Sequence, residues 1–243
     1  MSSGGNSSGR GGRRGGGLAT NRLEALVDGV FAVVMTLLVL DIKVPPPTKP
    51  HAAVSLLGDL LSLHATVLSY ALSFVIAGIY WVGHHNQFAY IRRADRPLLW
   101  INILFLMCVA FIPFSAALLG AYPGQRIAVI IYGANLIVVG LVLYLHWWYA
   151  TRNHRLVDGE LDSHVVRLAT TRILMAPVIY LVAIGLSFVN TAVSIGIYVL
   201  VPVLYILPGH IDRHLLGVGH HEPEASAPQD AGVTRDSESA THG

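Results

Sequence analysis

The sequence predicts an all-α integral membrane protein with six transmembrane helices per subunit, and two observations carry that reading. Of 243 residues, 53% are hydrophobic and only 12% charged, roughly half the charged fraction of an ordinary soluble domain. The excess apolar surface needs a solvent other than water. The apolar residues also fall into six segments, near 23–43, 64–84, 98–119, 126–148, 171–189 and 191–208. At about 1.5 Å rise per residue, such segments suit a hydrocarbon core of about 30 Å. They are too long and continuous for barrel strands, so the backbone must satisfy its own hydrogen bonds as helix.

The chain opens with MSSGGNSSGRGGRRGGG, a basic, Gly- and Arg-rich stretch without apolar periodicity. Residues 1–21 are expected to be a disordered tail. No small-residue cleavage site flanks the first apolar run, which leads instead into Lys43 and three prolines. It therefore reads as a retained helix rather than a signal peptide. Segments three, five and six contain Pro113, Pro177 and Pro202, which membrane helices tolerate and which predict kinks. Residues 22–208 form the membrane domain, and 209–243 are expected to be a second disordered tail.

Six crossings put both termini on one side. That side would carry 13 of the 16 basic residues, leaving Lys43, Lys49 and Arg126 on the other. The positive-inside rule makes it the cytoplasm, in a multi-pass protein of the cell (plasma) membrane. Trp81, Trp100, Trp147, Trp148 and Tyr149 then fall at cytoplasmic helix ends, where amphipathic rings belong. Because the arginines follow topology rather than forming a patch, nucleic acid is not an expected partner, and membrane lipids are.

The first helix, 21-NRLEALVDGVFAVVMTLLVLDIKVP-45, places charge inside an apolar run. Stepping 100° per residue gathers Leu26, Gly29, Val33, Thr36, Leu37, Leu40 and Val44 within about 60° of one direction, with Asp28 about 140° away. Arg22 and Asp28 are six residues apart and do not face each other on one helix. An unpaired Asp at a helix centre costs about 2.5–3.5 kcal/mol on insertion scales, so its partners must come from elsewhere. His84, His85 and Asn86 at the end of segment two, and Asn102 in segment three, share its depth. Together with Arg22 and Asp28 they form an expected structural polar cluster clamping helices one to three. The uncharged face has two readings on these grounds, helix packing eased by Gly29 or a functional surface.

Arg22 to Ile42 resembles the signature first helix of the transmembrane protein 175 family of potassium channels, in which Arg is followed by a Phe-Ser-Asp triplet. YWVGHHNQF at 80–88, LWINILFLMCVAFIPFSAALLG at 99–120 and IYGANL at 131–136 extend the resemblance over residues 22–208. The resemblance implies a potassium-preferring cation channel, a homotetramer whose first helices line a central pore without a T-V-G-Y-G filter. It implies a hydrophobic constriction at Val33, Leu37 and Leu40, with Thr36 adding a hydroxyl ring and Asp41 concentrating cations at the outer mouth. Permeant monovalent cations, potassium first, and further copies of this chain are the implied partners, and no cofactor is expected. Leu26 and Val27 stand where Phe and Ser are usual, which removes a hydroxyl from the polar cluster.

Other functions fit less well. No G-x-S-x-G or H-E-x-x-H occurs, so an enzyme is not expected. A proton- or ion-coupled transporter would use Asp28 with His84 or His85 as a titrating relay. The single cysteine, Cys108, builds neither a disulfide nor a thiolate site within one chain. Of the twelve histidines, His51, His154, His164, His220, His221 and His242 are expected to be solvated or capping. His64 and His146 are expected to cap or snorkel near helix ends. His210 and His214 make one weak i, i+4 pair, short of the ligands a metal site needs.

Overall fold

The computed structural model describes residues 15–43, 53–158 and 161–206. Within them eight α-helices run in the order α1 (Gly15–Leu38), α2 (Ala53–Ser62), α3 (His64–Phe88), α4 (Arg96–Ala110), α5 (Ile112–Ala121), α6 (Arg126–Thr151), α7 (Ser163–Leu186) and α8 (Thr191–Ile206). A 3-10 turn, Val39–Asp41, extends α1. Val44, His51, His210, His214, His220, His221 and His242 lie outside the described residues, as do most of the two tails. The helix reaches back to Gly15, so the last part of the expected N-terminal tail is helical.

Among the described residues five stretches are long and apolar enough to cross a membrane: Thr20–Asp41, His64–Phe88, Arg96–Ala121, Arg126–His154 and Ser163–Leu186. The sixth expected span appears as α8, a shorter apolar helix of 16 residues, which at 1.5 Å per residue measures about 24 Å. The third stretch is two helices, because the chain breaks at Phe111. Proline 113 there lacks the N–H that would bond back into α4, so α5 restarts with that proline in its first turn. α7 and α8 remain continuous helices through Pro177 and Pro202.

Several boundaries are written in side chains. Asp95 caps α4 by accepting from the Leu98 amide at 3.0 Å, Asp162 caps α7 through the His164 amide at 2.8 Å, and Asn190 caps α8 through the Ala192 amide at 2.8 Å. Each satisfies one of the donors that a helix start leaves orphaned.

The core is built around α6, whose Val129, Tyr132, Leu136, Val139 and Leu143 are buried among residues of α3, α4, α5, α7 and α8. α1 packs against this body through Leu23, Val27, Phe31, Val34 and Leu38, a spacing that keeps one helical stripe inward. Several polar side chains within the bundle are hydrogen-bonded there. Ser69 donates to the Ala116 carbonyl at 2.7 Å, Ser73 meets Tyr132 at 3.0 Å, and Asn135 donates to Ser115 at 3.0 Å. At one end of the bundle the 89–95 and 152–158 loops are tied together by an antiparallel bridge between Ile91 and Val157. Asp95 reinforces it, accepting from the Tyr149 hydroxyl at 2.7 Å and pairing with Arg155 at 3.4 Å.

Candidate pore face and polar clasp

The stripe opposite the buried side of α1 is bare on the subunit. Val33 is 55% exposed and Leu40 67%, and Leu26, Gly29, Thr36 and Leu37 are exposed with them. A Cβ placed on Gly29 would meet nothing within 4 Å, so within one subunit that glycine serves no close packing. The uncovered residues are the face that helical periodicity picks out. Thr36 donates its hydroxyl to the Val33 carbonyl at 2.8 Å, which occupies the proton and turns the oxygen lone pairs outward. Asp41 lies half-buried in the 3-10 turn beyond this stripe.

The expected polar cluster separates into two layers. In the outer one, Asp28 accepts from the Trp81 indole N–H at 2.8 Å, and the indole stacks on His85 with centroids 6.0 Å apart. This joins α1 to α3. In the inner layer, His84 is fully buried, hydrogen-bonds the Asn102 amide oxygen at 2.8 Å and stacks on Phe105 at 5.1 Å. This joins α3 to α4. Arg22 and Asn86 are exposed, and among the described residues neither hydrogen-bonds nor ion-pairs with the rest of the cluster.

Three residues of the clasp had no part in the expected cluster. Trp81 is the partner that Asp28 finds, in place of His84, His85, Asn86 or Asn102. Gln87 donates to the Leu143 carbonyl at 3.1 Å, and its amide oxygen receives the His146 Nδ1 hydrogen bond at 2.7 Å. His146 is therefore a core residue rather than a capping or snorkelling one, and its ring lies 5.2 Å from that of His84. Trp147 likewise points into the body, 1% exposed, whereas Trp100 at 70% stands out as an interfacial ring would. The run YWVGHHNQF held the signal, since four positions of one α3 end carry polar hydrogen-bonding side chains.

Two differences from the resemblance bear on the site. Val27 is 1% exposed, so where the family pattern has a serine this chain buries two methyl groups against the core. Leu26, at the phenylalanine position, faces outward with the bare stripe. His64 caps as expected, its Nδ1 hydrogen-bonding the Leu61 carbonyl at 3.0 Å at the end of α2. Among the described residues no three His, Cys, Asp or Glu side chains converge to hold a metal.

Comparison with known proteins identifies the family. The profile of a family described as the endosomal/lysosomal potassium channel TMEM175 matches residues 22–113. A protein named as a potassium channel in Chamaesiphon minutus is 37% identical, over 77% of this chain and 94% of its own length. One so named in Streptomyces collinus is 34% identical over 76% and 91%. The crystal structure of a lysosomal potassium-selective channel TMEM175 homolog from Chamaesiphon minutus superposes with a TM-score of 0.69 at 35% identity, covering 78% of this chain and 97% of that one. By sequence and by fold, the chain belongs to the TMEM175 family.

Proposed function

We propose that the protein is a potassium-preferring cation channel of the plasma membrane, a homotetramer whose α1 helices surround a central pore. The observation that carries this is the bare α1 stripe of Val33, Thr36, Leu37 and Leu40, in a chain whose relatives are named as potassium channels. One such helix cannot enclose a path for ions, whereas four related by rotation would bring their uncovered faces together around an axis. The leucine and valine rings then form a hydrophobic constriction that closes by dewetting. The Thr36 oxygens, their protons already given to Val33, replace part of the hydration shell of a passing cation. Asp41 raises cation concentration at the outer mouth. α8 completes a sixth crossing, and both termini lie in the cytoplasm.

The transporter reading is weaker, because Asp28 hydrogen-bonds Trp81 rather than a histidine that would relay its proton. Asp28 and its neighbours instead hold α1 against α3, leaving the uncharged face free.

The test is the reversal potential in planar bilayers with potassium on one side and sodium on the other. Current reversing toward the potassium equilibrium potential is expected, with Leu37→Ala and Leu40→Ala changing conductance or ion preference. Unchanged conduction in both variants would move the pore to another helix. Uptake into liposomes that requires a proton gradient, with no passive current, would replace the channel with a coupled transporter.

A further inference from the structure

The bundle end where α4 begins and α6 finishes is richer in arginine than its acidic partners can neutralise. The segments 89–96 and 152–162 carry Arg92, Arg93, Arg96, Arg152 and Arg155 against Asp95, Asp158, Glu160 and Asp162. The three aspartates are committed, Asp162 to the α7 cap. Asp158 pairs with Arg92 at 2.9 Å, and Asp95 serves Arg155, the Tyr149 hydroxyl and the Leu98 amide. Among the described residues Arg93, Arg96 and Arg152 pair with no carboxylate.

The Asp95–Tyr149 hydrogen bond also ties the start of α4 to the end of α6. Arg96 follows Asp95 directly, and Arg152 lies one turn beyond Trp148 on the neighbouring helix, so the two cations are held at one end of adjacent helices. The Arg152 guanidinium sits 4.9 Å over the Trp148 ring, which orients it while leaving its N–H edge available. Toward the middle of the bundle, Trp100, Leu104 and Met107 on α4 and Leu141 and Leu145 on α6 remain uncovered. A cationic end therefore continues into apolar helix faces with aromatic rings at the junction.

We propose that Arg96 and Arg152 bind the phosphate of an anionic phospholipid whose acyl chains lie along the exposed faces of α4 and α6. Charge complementarity selects the lipid class. A zwitterionic headgroup brings its own cation to arginines that already exceed their carboxylates, whereas an anionic one supplies the missing negative charge. The continuous apolar surface selects a lipid over a free phosphate. The inference rests on the helices spanning a membrane and is independent of ion conduction.

The experiment follows the unfolding temperature of the purified full-length protein in neutral detergent, with added phosphatidylglycerol, phosphatidylcholine or inorganic phosphate. Phosphatidylglycerol is expected to raise it by several degrees while the other two do not. R96Q/R152Q should lose at least half of that shift, and R167Q, at an exposed arginine on α7, should keep it. Equal shifts with both lipids, a phosphate effect matching that of phosphatidylglycerol, or an undiminished shift in R96Q/R152Q would each overturn the proposal. Should R96Q/R152Q fail to fold, native mass spectrometry of the wild-type protein decides. Preferential retention of phosphatidylglycerol over phosphatidylcholine adducts supports the site, and equal retention removes it.

Discussion

The Tyr198 hydroxyl donates to the Val129 carbonyl at 3.0 Å, reaching it across Gly133. One helical stretch further along α6 the arrangement recurs, with Tyr80 donating to the Leu136 carbonyl at 2.7 Å beside Gly140. In each case the glycine sits four residues after the carbonyl; a side chain would meet the tyrosine at Gly133, whereas at Gly140 it would meet the Pro177 ring at 2.6 Å. A Cβ on Gly133 would lie 2.1 Å from the Tyr198 hydroxyl and 2.9 Å from Ile184. Gly133→Ala is therefore expected to destabilise the subunit by about 3 kcal/mol, the upper end of ordinary overpacking. In a Tyr198→Phe background, where the nearest atom is gone, the same substitution should cost less than in the wild type. Thermal unfolding of the four proteins of this cycle measures the coupling, and simple additivity would show that the hydroxyl is not what fills the space.

The Asp28–Trp81 hydrogen bond gives a sharper test of what the α1 charge is for. Asp28→Asn keeps an amide oxygen that can accept the indole N–H, whereas Asp28→Ala leaves the indole without its acceptor. Loss of a hydrogen bond to a charged group costs about 1.5–3 kcal/mol, less at a partly exposed site. The expected order of stability is wild type, then Asn, then Ala, with passive cation current retained in the Asn variant. Conductance abolished by Asp28→Asn at normal stability and assembly would place the carboxylate in the ion path.

The α1 face is legible because Leu26, Gly29, Val33, Thr36, Leu37 and Leu40 recur at the helical period on one side, clear of Asp28. The partners of its charges were less legible. An indole N–H is hidden in a pattern of hydrophobic residues, so the pattern points to the histidines beside Trp81 rather than to Trp81 itself. His146 and Trp147 lie near the end of α6, where interfacial residues are expected. One side of α6 stays buried almost to its last turn, however, and that comes only from packing. The break at Phe111 lies beside Pro113, while α7 and α8 run on through Pro177 and Pro202.

Asp95 concentrates three interactions in one carboxylate: the α4 cap, the Tyr149 hydroxyl and Arg155. Its side chain is shielded enough for the hydrogen bonds to count, while the longer pair with Arg155 contributes little at this exposure. Asp95→Ala is expected to cost about 2 kcal/mol, from a lost helix cap and an orphaned tyrosine hydroxyl. Tyr149→Phe should cost about 1 kcal/mol, and the double variant less than the sum. Hydrogen exchange of the amides at 96–99 locates the effect, since loss of the cap frays the first turn of α4. Protection there unchanged in Asp95→Ala would assign the cost to the α6 contact instead.

Gly29 is the counterpart of Gly133, since the subunit itself leaves it empty space. Removing a glycine from an exposed helix position gains up to about 1 kcal/mol of helix propensity, so Gly29→Ala is expected to leave subunit stability unchanged or slightly raised. Gly29→Leu should also fold, because nothing within 4 Å of a Cβ there belongs to the same subunit. If four α1 faces meet around an axis, however, four leucine side chains enter the space between them. The expected result is normal secondary structure by circular dichroism together with a clear drop in single-channel conductance. A Gly29→Leu protein that conducts like the wild type would take Gly29 off the pore face and shift the constriction toward the Leu37 and Leu40 end of the helix.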